Sequence, residues 1–176
     1  MTNIHSLTNL SHRSDTELWP LVRFVLLHFE SNHCVDVHVT DQPLLAETTG
    51  LATIVGPKTL VTLKLASRKY PYRSRYVKEL PSITVGSWQE EFVLVLAHEL
   101  AHADQFYHDI YSEAEEHLSE VDAESQAYAV REHWLNFKKA LTSLVGFSIN
   151  NLKEAKNGQM DDYPRRTRRK SVAVSL

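Results

Sequence analysis

Thiols are almost missing from this 176-residue chain: Cys34 is its single cysteine. One thiol excludes an intrachain disulfide framework and any zinc site built on two or more thiolates, and it suits a reducing compartment. Long apolar runs are missing as well. The longest, Phe92 to Ala97, is too short to span a bilayer, and the opening segment MTNIHSLTNLSHRS lacks the apolar core of a signal peptide. These absences lead to the expectation of a cytoplasmic protein with no membrane attachment. Nor is there a surplus of charge, since 19 Lys and Arg against 22 Asp and Glu leave a net −3. At 43% hydrophobic and 23% charged, the composition is that of an ordinary globular protein, neither disordered nor fibrous, and the length suits one domain with one core. Histidine is what the chain has in quantity. Ten residues without a tag-like run are either incidental or a supply of imidazole for metal or proton chemistry.

Hydrophobic spacing sets out the elements. Residues 1–14 are polar and read as a frayed end. From Asp15, Leu18, Leu21, Val22, Val25, Leu26 and Phe29 recur at three- and four-residue spacing, predicting an amphipathic helix capped by Ser14 or Asp15. Cys34 to Val39 alternates with a period of two, a half-buried strand. Leu51–Val55 and Thr59–Leu65 flank Gly56-Pro57-Lys58 and read as a hairpin. The basic, aromatic piece from Ser67 to Lys78 reads as an irregular loop, and Ser82–Val85 as a short strand. Ser87-Trp88-Gln89-Glu90 is a capping box: the serine oxygen covers one orphan amide and Glu90 reaches back to another. A strongly apolar helix follows, then an acidic connection over residues 109–119, then a second helix from about Glu120 to Leu141. Helix, small sheet, then helices is an α+β order with no internal repeat. One domain is expected over residues 15–150, with a basic, unfolded tail over residues 151–176.

The apolar helix carries His98-Glu99-Leu100-Ala101-His102, an HExxH motif. Side chains at i and i+4 lie one above the other on a helix face, so both imidazoles can point at one ion. Glu99 sits one residue round the helix, placed to act as general base towards water activated at that ion rather than to ligate it. Composition alone gives roughly 0.04 chance matches to this pattern, and the setting inside a capped helix straight after a strand strengthens it.

A third ligand is needed if an open zinc position is to be kept for water. His108 has the metzincin spacing from His102, but Gln105 stands where metzincins carry the glycine that turns the chain sharply. The rival is a carboxylate on the following helix, where Glu120 and Glu124 stand at i and i+4 with Ala123 and Ala127 beside them. One carboxylate there can ligate while the other, a turn away, takes the outer N–H of a histidine. Helical geometry alone does not separate Glu120 from Glu124.

HELAH followed by Glu120-x-x-Ala123-Glu124-x-x-Ala127 resembles the gluzincin peptidases, in particular the small ImmA/IrrE-like and SprT-like kinds. The likeness covers roughly residues 82–135. It implies a zincin-like fold: an N-terminal helix, a small mixed sheet whose edge strand lies beside the HExxH helix, and then a ligand-bearing helix. It further implies one Zn2+ per chain on His98, His102 and Glu120, with Glu124 behind His98 or His102. The implied function is zinc-dependent hydrolysis of a peptide or protein substrate with Glu99 as general base. Ser82–Val85 would then be the edge strand that receives an extended substrate, and Tyr128, Arg131 and His133 are candidate oxyanion donors.

Two charge features remain. Residues 104–124 hold eight carboxylates and no Lys or Arg, which favours a basic substrate segment. Arg165 to Lys170 has five basic residues in six, a solubilising end or an attachment to nucleic acid. The alternatives to a peptidase of general type are therefore a SprT-like protease acting on DNA-associated proteins and a non-catalytic zincin-fold binding or regulatory module.

Overall fold

The computed structural model describes residues 3–29, 34–44, 49–55, 58–65, 68–74, 77–108, 110 and 115–158. The basic run Arg165 to Lys170, with whatever it attaches to, lies outside the described residues. Among these residues the protein is α+β, with three helices and a mixed sheet. Its chain divides into two units, Met1–Phe137 and Lys138–Leu176. Both sheets belong to the first.

Residues 1–14 were expected to fray, yet Asn3–Leu10 form a strand, β1, that pairs in parallel with β2, Cys34–Thr40. Parallel neighbours need a crossover, and α1, Asp15–Leu26, supplies it. A polar strand escapes a hydrophobic pattern when it lies at the edge of a sheet. The strand order β1-β2-β4-β3 puts β1 at one edge and β3, Gly50–Val55, at the other, hairpinned to β4, Lys58–Lys64. Val35, Val37 and Val39 alternate into the core from β2, and Val61 and Leu63 from β4. Leu18, Val22 and Val25 of α1 meet them in one cluster. Ser14 begins α1 with a full capping box, its backbone N–H held by Glu17 at 3.0 Å.

The basic and aromatic segment is partly regular. Tyr72–Ser74, β5, pairs antiparallel with β6, Ile83–Val85, in a separate two-stranded sheet. Strand β6 runs through Gly86 into α2, Trp88–Tyr107, whose first turn is capped by the Ser87 hydroxyl accepting the Glu90 N–H. Every residue from Glu90 to Ala97 is buried, because α2 packs on β3, β4 and α1. The third helix, α3, spans Glu116–Gly158. It starts a turn earlier and runs further than expected: Leu141, Leu144, Val145, Ile149 and Leu152 continue the helical spacing, and a single Gly146 is tolerated inside a helix. Within the second unit, the hydroxyls of Thr142 and Ser143 donate back to the carbonyls of Lys138 and Lys139. Among the described residues no helix is long and apolar enough to cross a membrane.

Burying the start of α2 puts two carboxylates out of water, and each is answered. Glu90, 4% exposed, accepts the Gly86 N–H at 2.8 Å and pairs with the Arg131 guanidinium, whose Nε donates at 2.6 Å. Arg131, 8% exposed, also donates to the Thr84 carbonyl at 2.6 Å, so one side chain of α3 ties β6 to α2. Glu91 accepts the Tyr70 hydroxyl and pairs with Arg68 at 3.1 Å. Arg131→Met strands a buried carboxylate and should cost about 3–5 kcal/mol. Urea unfolding checks this, and adding Glu90→Gln to the same chain should recover much of the loss.

Candidate metal centre

Helical phase and burial together fix where the motif histidines point. His98 and His102 are the half-buried members of an otherwise buried stretch of α2, and they open onto one cleft. Their Nε2 atoms lie 3.1 Å apart. From α3, Glu120 brings one carboxylate oxygen to 3.5 Å from His98 Nε2 and the other to 3.2 Å from His102 Nε2. A tetrahedral zinc with ligands at about 2.0–2.1 Å has edges of roughly 3.3–3.4 Å between ligand atoms, so the donor set fits such an ion. Three donors also leave one tetrahedral corner open. His98, His102 and Glu120 thus form a group able to hold a metal ion.

Glu124 is separated from Glu120 by one helical turn and does a different thing. It is 1% exposed, and its carboxylate meets His98 Nδ1 at 3.3 Å. That contact favours a proton on Nδ1 and leaves Nε2 facing the cleft. On the other histidine, His102 Nδ1 meets the Gln105 amide oxygen at 3.0 Å. Burial works against a charged His98, but the hydrogen bond to Glu124 and the charges of Glu99, Glu120 and Glu124 outweigh it and hold its pKa above the ordinary histidine value. His102 is pushed the other way, by burial and by the neighbouring His98 charge.

Glu99 points off the ligand face. Burial raises its carboxyl pKa, opposed by the His98 charge and by the Ala52 N–H that it accepts. Gly50 makes this position possible. A Cβ there would stand 2.7 Å from Glu99 Cγ and 2.7 Å from Val95 Cγ1, inside any real contact, so the general-base candidate lies flat on the backbone of β3. The cleft above these groups has a volume of about 650 Å³, with Leu51, Ala52, Leu94 and Val95 along its apolar side.

Several expectations are corrected here. Helix α2 continues through Gln105 to Tyr107, and His108 is its exposed C-cap, outside the ligand group. Strand β6 pairs with β5, and the strand that lines the cleft is β3. Ala52 directs its N–H off the free edge to Glu99, so Gly50, Ala52 and Ile54 share that outward phase of the ladder. None of the three oxyanion candidates lines the cleft. Arg131 is held by Glu90, Tyr128 packs on the hydrophobic core, and His133 stacks on His28 with ring centroids 5.1 Å apart. Elsewhere His12 pairs with Asp41 and His117 with Glu79. Gly50, Ser119 and Gln105 were not foreseen as members of the centre; the one local signal was Gln105 itself, a polar residue three positions after His102 on the same helix face.

Comparison with protein-family models, curated proteins and solved structures found no match. What the centre does is therefore argued from its own atoms. Substituting His98, His102 or Glu120 by Ala should abolish binding of a single zinc per chain, whereas His108→Ala should leave it intact. Glu124→Ala should weaken binding by about 10–100-fold. Metal analysis and titration against a competing chelator separate these outcomes.

Proposed function

We propose that this protein is a zinc metallopeptidase of the gluzincin type, in which His98, His102 and Glu120 hold the ion and Glu99 is the general base. The observation that carries the reading is the combination of a three-donor set at tetrahedral spacing with a fourth, buried carboxylate excluded from it. A purely structural metal site closes all four positions with protein ligands. Here one corner opens onto a cleft of peptide-binding size.

Zinc bound there would supply Lewis acidity towards a carbonyl and acidify a water beside it. The chain supplies the rest. Glu99, desolvated and steadied by the Ala52 N–H, takes a proton from the attacking water and passes it to the leaving amine. Among the described residues β3 is an edge strand, and the outward main-chain groups that Glu99 does not use would let an extended peptide add as a further strand beside the centre. Leu51, 44% exposed, gives that rim an apolar contact for a substrate side chain.

Glu99→Gln should keep zinc and lose about 10²–10⁴-fold in kcat for peptide hydrolysis. Gly50→Val should also keep zinc while lowering hydrolysis, since it displaces Glu99 and no ligand. Cleavage of a casein or mixed-peptide substrate, scored beside metal content, tests both; full activity in Glu99→Gln would remove the proposed mechanism.

A further inference from the structure

Gln105 lies within a chain of hydrogen bonds whose polarity can be worked out from the chemistry of its ends. Its Nε2 is 3.1 Å from the Ser119 carbonyl oxygen and 3.1 Å from Asp122 Oδ2. A carbonyl and a carboxylate only accept, so this end of the amide must be the NH2 group. Asp122 itself is held by the Gln126 amide at 3.0 Å. The other end of the Gln105 amide is therefore its oxygen. It accepts the Ser119 hydroxyl at 2.6 Å and faces His102 Nδ1 at 3.0 Å, with the Ser119 Oγ also 3.3 Å from that nitrogen. An amide oxygen requires a proton on the nitrogen it faces. His102 is thereby confined to its Nδ1–H tautomer, with the Nε2 lone pair aimed at the His98–Glu120 group.

We infer that Gln105 is a positioning residue for the metal centre: through Ser119 and Asp122 it sets the tautomer of His102 and locks the start of α3, where Glu120 stands, to the helix that carries the histidines. The inference rests on the metal-centre reading above, but the tautomer can be tested without it. The amide is 4% exposed, so water does not compete for either end. The two histidines are thus held by different means. A buried carboxylate of α3 holds His98, and a neutral amide of α2 itself, oriented from α3, holds His102. The arrangement also explains the residue at 105, where a glycine would leave His102 without its acceptor. Two imidazoles confined in this way bring their Nε2 atoms to 3.1 Å from each other, a juxtaposition that one shared proton or cation relieves.

Long-range proton–nitrogen correlation spectra of the metal-free protein, taken where His102 is neutral, report which ring nitrogen bears the proton. Wild type should show His102 as the Nδ1–H tautomer, and Gln105→Leu should shift it towards Nε2–H. Zinc affinity, from chelator competition, should fall by about 10–100-fold in Gln105→Leu. Asp122→Ala touches neither histidine nor metal ligand, and it should move both readouts in the same direction by freeing the amide to rotate; it decides the matter if Gln105→Leu fails to fold. An Nε2–H tautomer in wild type, or an unmoved tautomer and affinity in the folded variants, overturns the inference. A wild type that shows the Nδ1–H tautomer but takes up no zinc keeps the tautomer assignment and removes the metal-centre reading, and with it the positioning role.

Discussion

Two imidazoles one helical turn apart can share an ion only if each turns an unprotonated nitrogen to it, and what decides that is the partner of each outer nitrogen. Glu124 and Gln105 are those partners, and both depend on α3 lying against α2 in one register. A shift of α3 by one residue would take Glu120 out of the group with His98 and His102, and Glu124 off His98, together. Much of the remaining structure serves to hold that register. Ala123 and Ala127 are completely buried and carry no bulk to push the helices apart.

The same packing creates an electrostatic problem, since Glu90, Glu91, Glu99 and Glu124 are all buried. Each is met by a specific donor: Arg131 for Glu90, Arg68 and Tyr70 for Glu91, the Ala52 amide for Glu99 and His98 for Glu124. Two of these carboxylates anchor the frame and two belong to the centre. Their different partners explain why neighbouring acids on one helix have different tasks. A guanidinium ties Glu90 in place, whereas Glu99 meets only a backbone amide and the His98 charge, and burial raises its carboxyl pKa.

Local patterns made a good part of this legible. The Ser87 cap, the apolar run and the i, i+4 histidines all lie within one helix, and helical geometry carries them without help from elsewhere. The β3–β4 hairpin and the α1 face are equally local. Strand β1 was not legible, because an edge strand with polar residues looks like a loop until β2 is beside it. Arg131 read as a candidate donor near the centre because its sequence position says nothing of Glu90, 41 residues away, which binds it. The edge strand beside the HExxH helix was expected at Ser82–Val85, next in sequence to α2, when the edge strand packed on α2 is β3.

By itself, then, the sequence determined which residues can bind an ion from α2 and which carboxylate stands outside the ligand face, because 3.6 residues per turn decide both. Tertiary structure alone decided that Glu120 and not His108 completes the donor set, that Glu124 and Gln105 hold the outer nitrogens, and that Gly50 makes room for Glu99. Each of these is a contact between segments distant in the chain or a turn that the helix did not take. Distances between helices come from packing, which no periodicity within one helix contains.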